Sequence, residues 1–211
     1  MKTLLFCTSY ADSNEIWENK YRTWYDFHQQ SLLKADQIVF IDDCSPCAPS
    51  FLSEKDFIKL SPPLGYPQTS VYPGWYRSFS HAYHVACLGG FEKIIHVESD
   101  AYLLSDRIIN FLNTVSSGWH SMWHPTNAYP ESAVQVICAD QFQAYRNFTS
   151  APYEVYAHHT IEKEMPFTEI HKEFIGDRYG ETNQQIPANA DFSCQTSVTM
   201  LENWKHGKAL L

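Results

Sequence analysis

Two carboxylates follow an apolar run in the segment Lys93-Ile94-Ile95-His96-Val97-Glu98-Ser99-Asp100. The run is rich in β-branched residues and comes after Gly89-Gly90, which is typical of a buried strand. Residues two apart on a strand point to the same side, so Glu98 and Asp100 are predicted to converge where the strand ends. Two adjacent carboxylates raise the free energy of the folded protein unless a cation lies between them. A divalent metal that also binds a phosphate is the natural candidate. The alternative is two solvated acids that leave a strand.

A second acid pair, Asp42-Asp43, follows the apolar run 37–41 and leads into the turn Cys44-Ser45-Pro46. A carboxylate there can accept hydrogen bonds from a ribose diol or a base N–H, as acids do in other nucleotide-binding βαβ folds. Ligands of open α/β sheets bind beyond the carboxyl ends of the strands. Acids at two strand ends therefore predict a nucleotide site.

Strands and helices alternate in the amino-terminal half of the chain. Apolar runs predict strands at 3–9, 37–41, 57–60 and 93–100, and helical spacing predicts helices at 15–34, 75–88 and 106–115. Beyond these, strands are predicted at 119–124 and 133–138, and helices at 140–147 and 152–165. This order predicts an α/β fold of one Rossmann-like domain, with a mostly parallel central sheet and helices on both faces.

Composition narrows the classes of function. The formal charge is −9 and the 15 basic residues are scattered, which argues against nucleic-acid binding. An acidic protein that binds a phosphate needs a metal or backbone donors to offset its own field. No run approaches the ~18–20 apolar residues of a membrane span. Residues 1–7 are predicted to begin a strand rather than a secretory signal, and six cysteines without such a signal indicate a cytoplasmic protein.

Three motifs resemble those of GT-A type glycosyltransferases, and of family 2 in particular. Family 2 enzymes carry a strand with a "VDDGS"-like turn, an "A.N.G...A" helix and a strand that ends in "D.D". This chain has "FIDDCSP" at 40–46, "RSFSHAYHVACLGG" at 77–90 and "IIHVESDAYL" around Glu98 and Asp100. The resemblance covers roughly residues 3–115. It departs from the pattern at Glu98, where the family has aspartate, and at Cys44, where glycine is common.

The resemblance implies a single GT-A-like domain over 1–211, with a nucleotide-sugar-binding half at about 1–115 and an acceptor-binding half at about 116–211. Asp100, with Glu98, would hold Mn²⁺ or Mg²⁺. The remaining donor contacts would come from Thr8 and Ser9 at the base, Asp42 or Asp43 at the uracil or ribose, Arg77 at the diphosphate, and Ser99. The partners would be a nucleotide-sugar donor, with UDP as the expected nucleotide, and a glycan or other saccharide acceptor.

A transfer that inverts configuration also needs a carboxylate base near the acceptor hydroxyl. Asp191 lies among small residues suited to a pocket wall, and Asp140 follows the strand 133–138, where it can equally cap a helix. Retention of configuration requires no such base. Related folds sometimes supply a third metal ligand from the region that holds His120, His124 and His171.

The expected function is metal-dependent transfer of a sugar from a nucleoside diphosphate sugar. Two alternatives remain open: a nucleotidyltransferase acting on sugar phosphates, and a non-catalytic nucleotide- or carbohydrate-binding module. The segment "FCTSYADSNE" lacks the glycines and basic residues usual in nucleotidyltransferases. A Rossmann oxidoreductase is disfavoured because no G-x-G-x-x-G follows the first strand.

Overall fold

A computed structural model describes residues 1–67, 72–157 and 160–208 of the chain. The described strands are β1 (Thr3–Ser9), β2 (Gln37–Asp42), β3 (Phe57–Lys59), β4 (Lys93–Val97), β5 (Tyr102–Leu103), β6 (Trp119–His124), β7 (Tyr129–Cys138), β8 (Glu169–His171), β9 (Gly176–Asp177) and β10 (Phe192–Ser193). The α-helices are α1 (Asn14–Ile16), α2 (Arg22–Gln30), α3 (Pro73–Gly89), α4 (Asp106–Thr114), α5 (Phe142–Thr149), α6 (Tyr179–Thr182) and α7 (Val198–Lys208).

The central sheet has seven strands in the order β3-β2-β1-β4-β7-β6-β8. Strands β3, β2, β1 and β4 are parallel to one another, and β7 runs antiparallel to both of its neighbours. Strand β8 pairs in parallel with β6 at one edge. The predicted α/β fold with a mostly parallel sheet is therefore confirmed, and the sheet draws strands from both halves of the chain.

Helices cover both faces of this sheet because β1 and its neighbours are apolar on both sides. Leu5 and Cys7 of β1 pack in the core beneath α2 and α4, whereas Leu4 and Phe6 pack in the core beneath α3 and α5. All seven residues of β1 are buried. A strand buried on both faces has a continuous apolar run rather than an alternating pattern, which is why this strand was predictable.

A smaller sheet fastens the segment after β4 to the carboxyl-terminal part of the chain. Its three strands lie in the order β5-β10-β9. Next to it, the Thr196 backbone N–H donates to the Asp100 carbonyl oxygen at 2.9 Å. Residues near 100 and 190 are thus held together, although they are far apart in sequence.

Most predicted elements occur where the pattern placed them. The strands 3–9 and 119–124 are confirmed to the residue, and Gly90, in the left-handed region at φ 64°, ends α3. The first predicted helix begins with Ser13 as its N-cap, passes through a π-helical turn at Trp17–Tyr21, and ends at Gln30 rather than at residue 34.

The predicted helix at 152–165 is wrong. The described residues there form two short 3₁₀ turns, Tyr153–Val155 and Ile161–Lys163, and His158-His159 lie outside the described residues. The apolar stripe exists because Tyr153 and Tyr156 pack against Tyr76 of α3 from a turn. In the described part of the chain, no helix has the length and apolar character needed to cross a membrane.

Candidate active site

Both predicted acid pairs lie at the carboxyl edge of the parallel strands. The β1–β2 register pairs Ser9 with Asp42, and the β1–β4 register pairs Phe6 with His96. The residues just beyond β4 are therefore level with the end of β1. The acids at the ends of β2 and β4 flank β1 from its two sides.

Asp42 is fully buried and accepts three hydrogen bonds from the protein. Its donors are the Ser45 backbone N–H at 2.7 Å, the Ser45 hydroxyl at 2.6 Å and the Ser9 hydroxyl at 3.2 Å. These bonds close the turn after β2, in which Cys44 has φ 67°, a left-handed conformation that favours glycine. Burial raises the pKa of Asp42, and the hydrogen bonds from Ser45 oppose that shift. In this conformation Asp42 holds the turn.

Asp43 and Arg77 bind each other. The Arg77 guanidinium forms an ion pair with Asp43 and also donates to the Pro62 carbonyl oxygen at 2.6 Å. Asp43 further accepts the Gly65 backbone N–H at 2.6 Å, and a Cβ at Gly74 would lie 2.2 Å from its Oδ2 atom. Together these contacts anchor the proline-rich loop and the start of α3 to the end of β2.

Glu98 and Asp100 lie in the turn that follows β4, not on the strand itself. The strand ends at Val97, and the Ala101 N–H donates to the Glu98 carbonyl oxygen at 2.9 Å. The Asp100 Oδ1 atom is buried and has no hydrogen-bond partner in the described structure. Its Oδ2 atom lies 3.6 Å from Lys20 Nζ, a loose ion pair. Asp100 is therefore short of partners.

The raised pKa of Glu98 also indicates that too little positive charge lies near the two carboxylates. Burial, followed by the negative charges of Asp100 and Glu131, raises the pKa of Glu98 to about 8. Partly buried like charges favour the protonated form of Glu98, because Lys20 and Arg178 offset only part of their mutual repulsion. A divalent cation between Glu98 and Asp100 would remove this cost, and carboxylate oxygens are suitable ligands for Mg²⁺ or Mn²⁺.

A network of charges that the sequence did not reveal lies beside this pair. Arg178 donates to Glu131 Oε2 at 2.7 Å and to Glu162 Oε1 at 3.1 Å, and Glu131 is almost fully buried. Arg178 also lowers the pKa of Glu98, opposing the larger effects. Arg178 follows a two-residue strand and Lys20 lies within a helix, so neither carries a local motif that would have identified it.

Two exposed tyrosines border the acids. The rings of Tyr66 and Tyr72 stack with centroids 5.0 Å apart and planes 14° apart. Burial is the main cause of the raised pKa of Tyr72, and the charges of Arg178 and Glu98 act on it as well. A stacked pair of exposed rings offers a flat face to a base or a sugar.

The predicted base contacts, Thr8 and Ser9, are buried at the end of β1. Next to them, the Tyr10 N–H donates to the Tyr21 hydroxyl, and that hydroxyl donates to the Tyr10 carbonyl oxygen, both at 2.9 Å. Burial raises the pKa of Tyr21, and a hydrogen bond with Ser99 opposes the shift. The π-helical turn thereby connects the ends of β1 and β4.

Asp191 and Asp140, the two candidate bases, are both engaged by the protein. Asp191 forms an ion pair with Arg107 and accepts the Ser105 hydroxyl at 2.5 Å and the Ile175 N–H at 2.7 Å. These partners outweigh burial and lower the pKa of Asp191, which weakens it as a base. Asp140 accepts the Gly118 N–H at 2.9 Å.

The three histidines considered as third metal ligands lie in two places. His124 Nδ1 contacts Asp177 Oδ1 at 2.8 Å. His120 and His171 contact each other on β6 and β8, at 3.0 Å between ring nitrogens. By strand register His120 is level, through Val136 of β7, with Ile95 of β4, well before the acids at the end of that strand.

Two hollows of the described surface lie away from the acids. One, of about 280 Å³, is at the amino ends of β1 and β2 and is lined by residues such as Leu33 and Asp36. Another, of about 440 Å³, lies between α6 and α7 and includes Ile186 and Trp204. In the first hollow, Asp36 and Asp56 accept hydrogen bonds from Thr3 and Gln37, and the residues that line the second are uncharged.

No family model matches the chain, and no curated protein is significantly similar to it. Solved structures do resemble it. The galactosyltransferase LgtC, solved in complex with donor and acceptor sugar analogues, has 10% sequence identity and a TM-score of 0.52, over 99% of this chain and 96% of that one. A glycosyltransferase involved in the glycosylation of the major capsid of PBCV-1 aligns over 100% of both chains with 11% identity and a TM-score of 0.48.

The predicted GT-A type fold is therefore confirmed, since the alignment with LgtC spans nearly the whole of both chains. The narrower resemblance to family 2 stays a prediction, as do the roles assigned to individual residues.

Proposed function

We propose that this protein is a metal-dependent glycosyltransferase that transfers a sugar from a nucleoside diphosphate sugar, with UDP as the expected nucleotide, to a saccharide acceptor. The observation that carries the proposal is the deficit of positive charge at Glu98 and Asp100. Asp100 has a buried oxygen without a partner, and Glu98 has a pKa of about 8. This deficit lies at the strand end where nucleotides bind in open α/β sheets.

Glu98 and Asp100 would hold the cation, Mn²⁺ or Mg²⁺. The residues fit such an ion because they offer oxygen ligands whose charge the protein leaves largely uncompensated. When bound, the metal would act as a Lewis acid on the departing diphosphate.

Of the two basic residues that could contact the departing diphosphate, Lys20 is better placed than Arg77. Lys20 is 3.6 Å from Asp100, its side chain is 40% exposed, and it is available to approach a phosphate. Arg77, the residue implied by the resemblance, commits donors to Asp43 and Pro62 in this conformation. We therefore place Lys20 ahead of Arg77 as the diphosphate contact.

The nucleoside would lie over the ends of β1 and β2. Ser9 and Asp42 shape the floor of that region through their mutual hydrogen bond. The exposed Tyr66–Tyr72 pair would cover it from the side of the proline-rich loop, since aromatic faces stack on bases and on sugar C–H surfaces.

The state of the two candidate bases favours transfer with retention of configuration. Asp191 is held by Arg107, Ser105 and the Ile175 N–H, and Asp140 by the Gly118 N–H. A retaining transfer needs neither carboxylate as a base. The anomeric configuration of the product, read by NMR, distinguishes the two outcomes.

A thermal-shift series with UDP, GDP, CDP and ATP, each with and without Mn²⁺, tests the nucleotide and the metal together. Stabilisation by about 5–10 °C with UDP only when Mn²⁺ is present is the expected result, at ligand concentrations about 100 times the dissociation constant. A shift with ATP alone would favour the nucleotidyltransferase alternative.

Release of UDP from UDP-glucose or UDP-galactose separates an enzyme from a binding module. We expect Mn²⁺-dependent release, and a loss of about 100-fold or more in Asp100→Asn. The matched control is Asp106→Asn, an exposed acid in the first turn of α4. UDP binding without any release would contradict the enzymatic proposal and leave the binding module.

A further inference from the structure

Three potential metal ligands share one face of β6 and of β8, the strand at the edge of the sheet. The parallel register pairs His120 with Glu169 and Met122 with His171. Paired residues, and residues two apart on one strand, point to the same face of a sheet. His120, Glu169 and His171 are therefore brought together by strand pairing itself.

Their ligand atoms all lie within 4.8 Å of one another. His120 Nδ1 is 3.0 Å from His171 Nε2 and 3.6 Å from Glu169 Oε2. The two imidazoles are only 6% and 5% exposed, whereas the Glu169 side chain is 62% exposed. The two histidines of the cluster are thus buried, and the Glu169 carboxylate faces solvent.

Hydrogen bonds fix which ring nitrogens carry protons. His120 Nε2 is 2.6 Å from the Ser117 carbonyl oxygen, and His171 Nδ1 is 2.7 Å from Glu173 Oε1. Both partners are acceptors, so each of these nitrogens donates an N–H. In the neutral rings the two nitrogens that face each other, His120 Nδ1 and His171 Nε2, both present lone pairs.

Two lone pairs at 3.0 Å repel each other unless a cation or a shared proton lies against them. Imidazoles that bind zinc typically donate their other N–H to a carbonyl or a carboxylate, the arrangement seen at Ser117 and Glu173. Nitrogens at 2.0–2.1 Å from a tetrahedral zinc are about 3.3 Å apart, so only a small movement is needed.

The surroundings of His120 are adapted to hold its ring. Gly118 has φ 94°, and a Cβ there would lie 2.5 Å from His120 Nε2. A larger residue would displace the ring from the Ser117 carbonyl. The ring of Phe111 lies over His171 with centroids 4.4 Å apart, which shields the nitrogens from water.

We propose that His120, Glu169 and His171 bind a zinc ion, with water at the fourth position. Imidazole nitrogens select zinc over the magnesium and manganese preferred by carboxylates. The site is separate from Glu98 and Asp100. His120 lies two strands from β4, level with Ile95, which is five residues before Asp100, so the two sites are roughly 15 Å or more apart.

A zinc ion at this position would stabilise the pairing of β8 with β6. Strand β8 has three residues and lies at the edge, where it pairs only with β6 among the described strands. Two ligands from β8 and one from β6 would cross-link the pair, stabilising the proposed acceptor half without taking part in sugar transfer.

The test is metal binding by the whole protein, stripped with a chelator and then supplied with zinc chloride alone. Elemental analysis should find one zinc per chain, and the melting temperature should rise by about 5–10 °C at a zinc concentration about 100 times the dissociation constant. Cobalt chloride in place of zinc should give the visible absorption bands of tetrahedral Co²⁺.

Variants locate the ion. His171→Gln should weaken zinc binding by about 100-fold or more, and Glu173→Gln, which removes only the outer partner, by about 10–100-fold. Glu169→Gln changes an exposed side chain, so it stays informative if a histidine variant fails to fold. His206→Gln, at an exposed histidine of α7, and Asp100→Asn should bind zinc like the unmodified protein.

Absence of zinc uptake by the unmodified protein would overturn the proposal, and the two imidazoles would then share a proton instead. Unchanged zinc affinity in both His171→Gln and Glu169→Gln would overturn it as well. Because Asp100→Asn leaves these residues intact, failure of the nucleotide site and failure of the zinc site are separate results.

Discussion

The two acid pairs occupy equivalent positions at neighbouring strand ends, yet the protein treats them differently. Asp42 and Asp43 receive hydrogen bonds from Ser9 and Ser45, from backbone N–H groups and from Arg77. Asp100 retains a buried oxygen without a partner and a loose contact with Lys20 at 3.6 Å. The first pair holds the fold together, and the second is left in need of a cation.

The position of an acid at a strand end therefore identifies it as a candidate metal ligand. The number of its hydrogen-bond and ion-pair partners then distinguishes a structural acid from a metal ligand. A buried carboxylate with all its acceptors occupied contributes to stability, since charged hydrogen bonds are among the stronger ones. A partly buried carboxylate without partners reduces stability until a ligand arrives. In the absence of ligand, substitutions in the first pair should therefore lower the free energy of unfolding, whereas substitutions in the second pair should raise it or change it little.

Arg178→Met should have the largest effect, a loss of about 3–5 kcal/mol in the free energy of unfolding, because it leaves Glu131 buried and unpaired. Urea denaturation followed by circular dichroism measures it. Arg22→Met, which removes an exposed ion pair with Glu18, is the matched control and should change stability little. Similar losses in the two variants would mean that the Arg178 network is not buried as described.

Asp42→Ala should lower the free energy of unfolding by about 3 kcal/mol, because the Ser45 N–H and two hydroxyls lose their acceptor. Chemical denaturation at neutral pH gives the value. A loss below about 1 kcal/mol would show that water replaces the carboxylate and that Asp42 is more accessible than the structure indicates.

Glu98→Gln should stabilise the metal-free protein by about 2 kcal/mol at pH 6. The folded-state pKa of Glu98, about 8, is above the ordinary value of 4.5, so the folded state binds the extra proton between those pH values. Stability relative to Glu98→Gln therefore falls as the pH rises from 4.5 to 8, and the two proteins converge below pH 4.5. A difference that grows toward low pH would contradict the burial of Glu98.

Asp100→Ala should change the stability of the metal-free protein least, by less than about 1 kcal/mol, because the side chain gives up only the contact with Lys20. Comparison with Asp42→Ala under the same denaturant conditions checks the contrast directly. Equal losses in the two variants would mean that Asp100 is a structural residue like Asp42.

The sequence predicted the sheet well where strands are buried on both faces. Every residue of β1 and of β4 is buried, and a strand buried on both faces is predictable because its apolar run is nearly continuous. The prediction failed at 152–165, where Tyr153 and Tyr156 pack from turns around Pro152 rather than from a helix. A stripe of apolar residues indicates that those side chains are buried. It does not show that the backbone is helical, because side chains on turns can be buried as well.

The acids of the candidate site were predicted from local pattern, but their partners were not. Arg77 is 34 residues from Asp43, and Lys20 is 80 residues from Asp100. Such pairings depend on how the helices pack against the sheet. The same holds for the His120–His171 contact, which arises from the register of two strands 51 positions apart.

Calorimetric titration of Mn²⁺ and UDP tests the central claim most directly, with Asp100→Asn and Asp106→Asn measured beside the unmodified protein. We predict that the unmodified protein and Asp106→Asn bind UDP tightly only when Mn²⁺ is present, and that Asp100→Asn loses the metal-dependent part of this affinity. Full retention of Mn²⁺-dependent UDP binding by a folded Asp100→Asn would contradict the assignment of the metal to the end of β4.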